Sequence, residues 1–341
     1  MTKKKAIVFG INGMDAKTLT RILLKKNYNV VGTYRRNTLN LNDEICPLYG
    51  FDNNLSFEFC NIADFDSVRS VIESNNDVDE IYLLAAQSHV GASFNTAEST
   101  CITNGMSAFN VLENVNKHCP SAKIYFAATS ELLGGANPTK PYTEESSFDC
   151  RSPYSIGKEL GTRWVKYYRQ MGIFACYGIL FNHSNVLRSK DFFIRRVTNA
   201  AARIKLGKQD SLKLGNLDFY RDEHWSDFGC EMMIAMLQNE EPKDYIIANG
   251  VTYSGREFLE NAFGYFDLDW QKYVEVDESR FRPNEVVKLI GNSEKAQKEL
   301  GWIPNRMSFS DHVGLMCDWD YKLESGETPK WPEVFEMYTR K

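Results

Sequence analysis

The sequence lacks the features that mark metal-binding, disulfide-bonded or membrane-spanning proteins. None of its eight cysteines forms a C-x-x-C pair, and only five histidines accompany them. Scattered cysteines of this kind are typical of buried, reduced thiols in a cytoplasmic protein. No apolar run approaches the length of a membrane helix, and the one behind the basic start is too short for a signal peptide. We therefore predict a cytoplasmic protein with no metal site and no membrane association.

An excess of positive charge is also absent. The 40 Lys and Arg residues stand against 45 Asp and Glu residues, which gives a net charge of −5. This balance argues against binding to nucleic acid, although it is compatible with a local basic pocket for a phosphorylated ligand. The length of 341 residues, with 43% hydrophobic residues, allows one large domain or two ordinary ones.

What the first half does contain is an alternation of strands and amphipathic helices. Predicted strands cover residues 6–9, 29–34, 55–59, 80–86 and 123–128. Asp64 is placed to cap a helix that follows the third strand, and a long helix is predicted over 103–117. Such alternation predicts an α/β fold, a doubly wound parallel Rossmann sheet with right-handed connections. Ligands of these sheets bind at the carboxyl ends of the strands.

A glycine turn follows the first strand. In its G-x-x-G-x-x-A spacing, Gly10 and Gly13 let the backbone approach a pyrophosphate at the start of the next helix, and Ala16 permits close packing. The second strand ends in Arg35-Arg36, where NAD-binding folds usually carry an acidic residue. Arginines suit the 2′-phosphate of NADP, so we predict NADP rather than NAD. The alternative interpretation is a solvated basic loop.

Tyr154 and Lys158 lie four residues apart behind Pro153, which can begin a helix, so both side chains are predicted on one helical face. A nearby ammonium lowers the pKa of a phenol, which can then take a proton from a sugar hydroxyl. The spacing alone is weak, but Thr129-Ser130-Glu131 ends a predicted strand just upstream. If that strand continues, Thr129 and Glu131 point to one face. Alternatively, Glu131 is a solvated carboxylate or begins the next helix.

The second half loses the strict alternation. Helices are predicted over 192–197, 200–204, 227–237 and 254–262, and strands that return to the main sheet over 178–181 and 245–248. Ser254 and Glu257 form a capping-box pattern. We predict two regions: a cofactor-binding Rossmann domain over 1–181 that carries the Tyr/Lys pair, and a mainly substrate-binding, mostly helical and discontinuous region over 182–341. Its arginines are candidate diphosphate partners.

Together these motifs resemble the GDP-mannose 4,6-dehydratase family of extended short-chain dehydrogenases/reductases. The resemblance runs from Gly10 to about Asp318, and its segments are 81–90, 129–132, 151–154, 178–183, 214–218 and 281–286. Asn182-His183 and the Gly-Asn-Leu-Asp string at 215–218 distinguish this family from other nucleotide-sugar enzymes better than the Tyr/Lys pair does.

The resemblance implies a lyase that oxidises C4 of GDP-mannose, removes water across C5 and C6 and returns the hydride to C6. The implied catalytic residues are Thr129, Glu131, Tyr154 and Lys158. Those implied for NADP are Gly10, Asn12, Gly13, Met14, Asp15, Arg35, Arg36, Asn61, Ile62, Leu84, Ala86, Ser88, Lys158, His183 and Arg188. Those implied for the nucleotide sugar are Ser88, Asn182, Arg196, Arg221, Arg282 and Glu285. A homo-oligomer, dimer or tetramer, is also implied, with pairing through the helix behind Pro153.

The sequence departs from the family pattern around the sugar and nucleotide. Residues 223–225 are Glu-His-Trp where Trp-Gly-His is usual, residues 184–188 replace Glu-Ser-Pro-Arg-Arg, and Leu133 replaces a tyrosine. Asn61-Ile62 stands for Asp-Leu near the adenine. The exact sugar therefore stays open, with a GDP-heptose as one alternative. A 4-epimerase or 4-reductase would not need Glu131, and a non-enzymatic cofactor-binding scaffold is a third possibility.

Overall fold

The computed structural model of the chain describes residues 3–35, 53–134 and 140–338. Its strands are β1 (Lys5–Phe9), β2 (Asn29–Tyr34), β3 (Leu55–Phe59), β4 (Glu80–Leu83), β5 (Lys123–Ala127), β6 (Ala175–Leu180), β7 (Asn182–Ser184), β8 (Leu212–Leu214), β9 (Tyr220–Trp225), β10 (Tyr245–Ile247), β11 (Thr252–Ser254), β12 (Val274–Val276) and β13 (Lys288–Leu289). Its α-helices are α1 (Met14–Lys25), α2 (Phe65–Ser74), α3 (Val90–Ser93), α4 (Ala97–Cys101), α5 (Ser107–His118), α6 (Pro153–Gln170), α7 (Phe193–Lys205), α8 (Ser226–Gln238), α9 (Gly255–Gly264), α10 (Glu294–Leu300), α11 (Phe309–Ser325) and α12 (Val334–Met337).

Seven strands form the central sheet in the order β10-β6-β5-β4-β1-β2-β3, and every neighbouring pair is parallel. The predicted doubly wound parallel sheet is confirmed, including the return of β10 from the second half of the chain. The predicted fourth strand was too long: β4 ends at Leu83, so residues 84–88 form a loop at its carboxyl end.

Alternate residues of the strands feed two hydrophobic cores, one on each face of the sheet. In β1, Ala6 and Val8 belong to one core, and Ile7 and Phe9 belong to the other. Helices cover both faces, which explains why β1 is a continuous apolar run rather than an alternating one.

The predicted helix caps at Asp64 and Ser254 are present, whereas one predicted helix begins differently. Asp64 caps α2, and Ser254 and Glu257 close a capping box on α9. The helix predicted over 103–117 is wrong in its first turn, where residues Ile102–Met106 form a π-helical turn between α4 and α5. Hydrophobic periodicity does not reveal the extra residue of such a turn.

Helix α6 lies unusually close to β5. Ser152 and Ser155 form its capping box, and Pro153 occupies its first turn. A Cβ atom added to Gly161 would lie 2.3 Å from Cζ of Phe126 in β5. The absence of a side chain at Gly161 therefore sets the distance between the helix and the sheet.

The second half of the chain adds two small sheets and a helical layer. Strands β7, β9, β11 and β13 form one sheet, and β8 pairs with β12. The predicted segments 192–197 and 200–204 belong to one helix, α7. Its Arg195 donates from Nε to both carboxylate oxygens of Asp320 in α11 at 2.8 Å, and from Nη1 to the backbone oxygen of Arg188 at 3.0 Å. This buried ion pair ties the loop that follows β7 to α11.

Within the described ranges, no helix is long and apolar enough to cross a bilayer. The described cysteines are free thiols. The prediction that they are buried is wrong for Cys101 and Cys150, which are partly exposed, and Cys46 lies outside the described residues.

We expect Gly161→Ala to destabilise the fold by about 1–3 kcal/mol, because the added methyl group overlaps the Phe126 ring. Chemical denaturation of the purified variant measures this change. Gly264→Ala in α9 is the matched control, since no atom lies within 4 Å of the new Cβ and alanine favours helix. Equal denaturation midpoints for the two variants would show that the helix-to-sheet contact is not tight.

Candidate active site

A cavity of about 360 Å³ lies at the carboxyl ends of the central strands. Most of the site residues predicted from the sequence line it, and they come from both halves of the chain. They are Asp15, Leu84, Ala86, Ser88, Thr129, Glu131, Tyr154, Lys158, Asn182, His183, Arg188, Arg196, Arg221, Arg282 and Glu285.

The remaining predicted cofactor residues lie outside the cavity wall. Gly10, Asn12, Gly13 and Met14 form the turn between β1 and the N-terminus of α1. Gly10 has a φ of 93°, and its Cβ would lie 2.8 Å from the Cα of Ala85 behind β4, so this position requires glycine. The turn therefore leaves the helix N-terminus open to an anionic group.

Three other predicted cofactor positions have different surroundings. Arg35 is exposed just beyond β2, and Arg36 lies outside the described residues. The Ile62 side chain is buried in one of the two cores, and its backbone oxygen accepts from Asn110 Nδ2 at 3.0 Å. Its neighbour Asn61 is partly buried. Any contact of Ile62 with a cofactor would have to come from its backbone.

Tyr154 and Lys158 lie one turn apart on α6, as predicted, and both are buried. Lys158 Nζ donates to the backbone oxygen of Ala127 at 2.7 Å and lies 4.9 Å from the centre of the Phe126 ring. Thr129 lies close enough to Tyr154 for its side chain to lower the pKa of the phenol. The close packing of α6 against β5 thus places Tyr154 and Lys158 at the carboxyl end of β5.

Thr129 and Glu131 reach the cavity by a route that differs from the predicted one. Strand β5 ends at Ala127, and a 3₁₀ turn covers Ser130–Leu133. Thr129 caps this turn, and its Oγ1 accepts from the backbone N–H of Glu131 at 3.2 Å. The prediction that a continuing strand aligns the two residues is wrong, because the cap ends the strand and turns Glu131 back to the cavity.

Burial dominates the electrostatics of the Tyr/Lys pair. Burial raises the pKa of Tyr154 to about 12, although the Thr129 hydrogen bond and the Arg188 charge act in the opposite direction. Burial lowers the pKa of Lys158 to about 8. The pKa of Tyr154 is therefore raised and not lowered as predicted, because desolvation of the phenol outweighs the effects that favour the phenolate.

His183 is held between two acceptors. Its Nε2 lies 2.9 Å from the carboxylate of Asp15, and its Nδ1 lies 2.7 Å from the backbone oxygen of Phe181. Both nitrogens must carry a proton to satisfy these contacts, so the ring is an imidazolium. Burial lowers the pKa of His183, but the Asp15 carboxylate more than offsets that effect and leaves it raised. Asp15 also accepts from Ser226 Oγ at 2.7 Å, which joins the glycine turn to α8.

Three arginines border the cavity on the side of the second half. Arg221 Nη2 lies 3.3 Å and Arg282 Nη1 lies 3.6 Å from the same oxygen of Glu285. Arg196 donates to the backbone oxygen of Asp191 at 2.9 Å. Guanidinium groups grouped in this way are suited to the oxygens of a diphosphate.

Two residues that support the site were not predicted from the sequence. Asn104, in the π-helical turn, holds the loop after β4 through two bonds to the backbone of Gln87, at 2.8 and 3.0 Å. Phe192 lies under the Arg188 guanidinium at 4.2 Å and beside the His89 ring at 5.4 Å. Neither residue belongs to a motif with a fixed spacing, and Phe192 had been assigned only to a helix.

Known proteins are similar to this chain over most of its length. The family described as GDP-mannose 4,6 dehydratase matches residues 7–316. The chain is 38% identical over 336 residues to GDP-mannose 4,6 dehydratase 2 of Arabidopsis thaliana, covering 95% of this chain and 89% of that protein. It is 35% identical over 346 residues to human GDP-mannose 4,6 dehydratase, covering 93% and 91% of the two chains.

Solved structures share the fold at lower identity. A dTDP-glucose 4,6-dehydratase from Streptomyces venezuelae with NAD and TYD bound has a TM-score of 0.81 at 20% identity, covering 95% of this chain and 99% of that one. A UDP-glucose 4-epimerase from Thermotoga maritima has a TM-score of 0.80 at 18% identity, covering 95% and 100%. Several nucleotide-sugar enzymes thus share this fold, and the sequence match, not the fold, assigns the family. The chain belongs to the GDP-mannose 4,6-dehydratase family.

Proposed function

We propose that this chain is a hydro-lyase that converts GDP-mannose to GDP-4-keto-6-deoxymannose with NADP as its cofactor. The observation that carries the proposal is the grouping of Thr129, Glu131 and Tyr154 in one cavity that Arg196, Arg221 and Arg282 also line. The first three provide proton-transfer groups, and the arginines provide partners for the diphosphate.

The residues present fit a nicotinamide dinucleotide. The glycine turn leaves the N-terminus of α1 open for a pyrophosphate, and Lys158, His183 and Arg188 line the adjoining cavity. A bound nicotinamide supplies a reversible hydride acceptor for the oxidation of C4 and for the later reduction at C6.

The protein's own side chains carry the proton transfers. Tyr154 takes the proton of the C4 hydroxyl, and the buried Lys158 ammonium one turn away stabilises the phenolate that this role requires. Thr129, which lies beside Tyr154, contacts O4 and stabilises the charge that develops there. Once C4 is a ketone, the C5 proton is acidic. Glu131 removes that proton and delivers a proton to the leaving C6 hydroxyl, so the sugar loses one water.

Glu131 also decides between this reaction and the alternatives. A 4-epimerase or 4-reductase needs Thr129, Tyr154 and Lys158 but no base for C5. The buried carboxylate of Glu131 within the same cavity, together with the family assignment, favours the dehydratase. Of residues 223–225, which differ from the family pattern, only Glu223 lines this cavity.

We expect Glu131→Gln to oxidise C4 but not to deprotonate C5, because the amide cannot accept the proton. Stopped-flow absorbance with GDP-mannose should show the reduced nicotinamide accumulating, while mass spectrometry shows no 4-keto-6-deoxy product. Tyr154→Phe is the matched comparison and should prevent the absorbance change itself. Wild-type turnover by Glu131→Gln would falsify the role of Glu131 as the C5 base.

We expect Arg35→Ala to weaken NADP binding by about 10- to 100-fold and to leave NAD binding unchanged, because only NADP carries the 2′-phosphate. Fluorescence titration of each cofactor measures the two Kd values. Lys272→Ala removes an equally exposed cation elsewhere and serves as the control. NAD as the cofactor extracted from native protein would contradict the choice of NADP.

We further propose that the chain forms at least a dimer through α6. Ile156 and Tyr167 are 53% and 50% exposed on one face of this helix, eleven residues and about three turns apart. Trp164 joins the same surface through its contacts with Tyr167 and with Phe109 of α5. An apolar face of this kind on a helix that also holds the catalytic pair is suited to pairing with a second copy.

We expect Tyr167→Glu to convert the oligomer to a monomer, because it places a charge in the centre of that face. Light scattering at micromolar concentration measures the mass. Tyr265→Glu, at a tyrosine of similar exposure on a different surface, should leave the mass unchanged. A wild-type protein that is already monomeric would rule out the proposal.

A further inference from the structure

Glu223 in β9 has a carboxylate oxygen, Oε1, that is buried and lacks a hydrogen-bond partner among the described residues. The residue is 5% exposed. Side chains alternate along a strand, so Glu223 shares a face of β9 with Arg221, and the parallel pairing with β7 places it opposite Asn182. All three residues line the cavity of the candidate active site.

The charges around Glu223 come from the site itself. Burial raises its pKa to about 7, while the positive charges of Arg188 and His183 and a hydrogen bond with Ser184 act in the opposite direction. Arg188 borders the same cavity, and its Nε is likewise buried without a partner. One acceptor and one donor are therefore left unpaired beside the same cavity.

The two unpaired atoms do not stabilise the folded chain. A buried carboxylate oxygen without a partner destabilises the fold, and an apolar side chain of similar size would be tolerated better. In its carboxylate form Glu223 accepts through Oε1, so this oxygen calls for a ligand group that donates. A neutral hydroxyl fulfils this requirement, whereas a phosphate oxygen would be repelled.

We propose that Glu223 is a specificity-determining residue whose Oε1 accepts a hydrogen bond from a ring hydroxyl of the sugar. The inference rests on the proposed function, because it requires a nucleotide sugar in this cavity. We assign the donating hydroxyl to the sugar because Glu223 lies near the proposed C5 base. Its neighbour Arg221, on the same face of β9, interacts electrostatically with Glu131. A carboxamide of the cofactor could donate in the same way, and the experiment separates the two.

A structural role is the rival explanation. Glu223 also borders a small cavity of about 10 Å³ together with His224, Trp225 and His312, which is at the lower limit of space for one water. If Oε1 bound such a water, its loss would affect folding more than substrate choice.

The test uses the full chain with GDP-mannose and with its 2-deoxy and 3-deoxy analogues. Glu223→Leu removes the acceptor, Glu223→Gln keeps an acceptor without the charge, and Glu260→Leu is the same substitution at an exposed position. The measurements are kcat/KM, the Kd of each sugar nucleotide by calorimetry, the Kd of NADP, and the melting temperature.

We expect Glu223→Leu to lose about 10- to 100-fold in kcat/KM and in affinity for GDP-mannose, because a buried sugar hydroxyl is left unpaired. For the analogue that lacks this hydroxyl, wild type and Glu223→Leu should be equal. Glu223→Gln should lose less than Glu223→Leu. The Kd of NADP should be unchanged, and the melting temperature unchanged or raised.

Three results would overturn the proposal: equal losses for GDP-mannose and both analogues, a loss confined to NADP affinity, or a lowered melting temperature with unchanged affinity for GDP-mannose. Failure of the proposed function looks different, because wild type then forms no 4-keto-6-deoxy product. The calorimetric comparison still tests Glu223 in that case, and absence of GDP-mannose binding to wild type rejects both.

Discussion

The contact between α6 and β5 is the constraint on which the geometry of the site depends. Only a residue without a side chain fits at Gly161 against the Phe126 ring, and Lys158 reaches the backbone of Ala127 because the helix lies so close. The same approach places Tyr154 beside Thr129 at the end of β5. A helix one methyl group farther out would separate Tyr154 and Lys158 from Thr129 and Ala127.

Charges buried by that packing are balanced across the two halves of the chain. Asp15 at the start of α1 pairs with His183 behind β6 and accepts from Ser226 at the start of α8. Burial would otherwise neutralise these groups, so the carboxylate and the imidazolium each keep the other charged. The Asp15–His183 ion pair thereby places fixed charges at the edge of the cavity, next to apolar strands. Fixed charges of this kind stabilise the charge that develops when protons and hydrides are transferred.

The parallel fold and the shared helical face of Tyr154 and Lys158 were predictable from local patterns, and the errors have local causes. Strand and helix periodicity placed the parallel sheet and brought Tyr154 and Lys158 to one face, since both depend on short-range geometry. The route of Glu131 to the cavity was missed because a threonine cap ends β5, and a strand and a cap are compatible with the same residues. The pKa of Tyr154 was misjudged because spacing reveals a neighbour but not how deeply the phenol is buried. Asn104 and Glu223 depend on contacts between distant segments, which have no counterpart in local sequence.

The ion pair between Arg195 and Asp320 has a consequence for the order in which the chain can mature. Arg195 is buried and also bonds to the backbone of the loop that contains Arg188, whereas its carboxylate partner lies 125 positions later. A nascent chain that ends before α11 would contain a buried guanidinium without its counterion, which strongly disfavours the native arrangement of that loop. During synthesis the Rossmann strands can therefore pair early, whereas the cavity acquires its final shape only after α11 has left the ribosome.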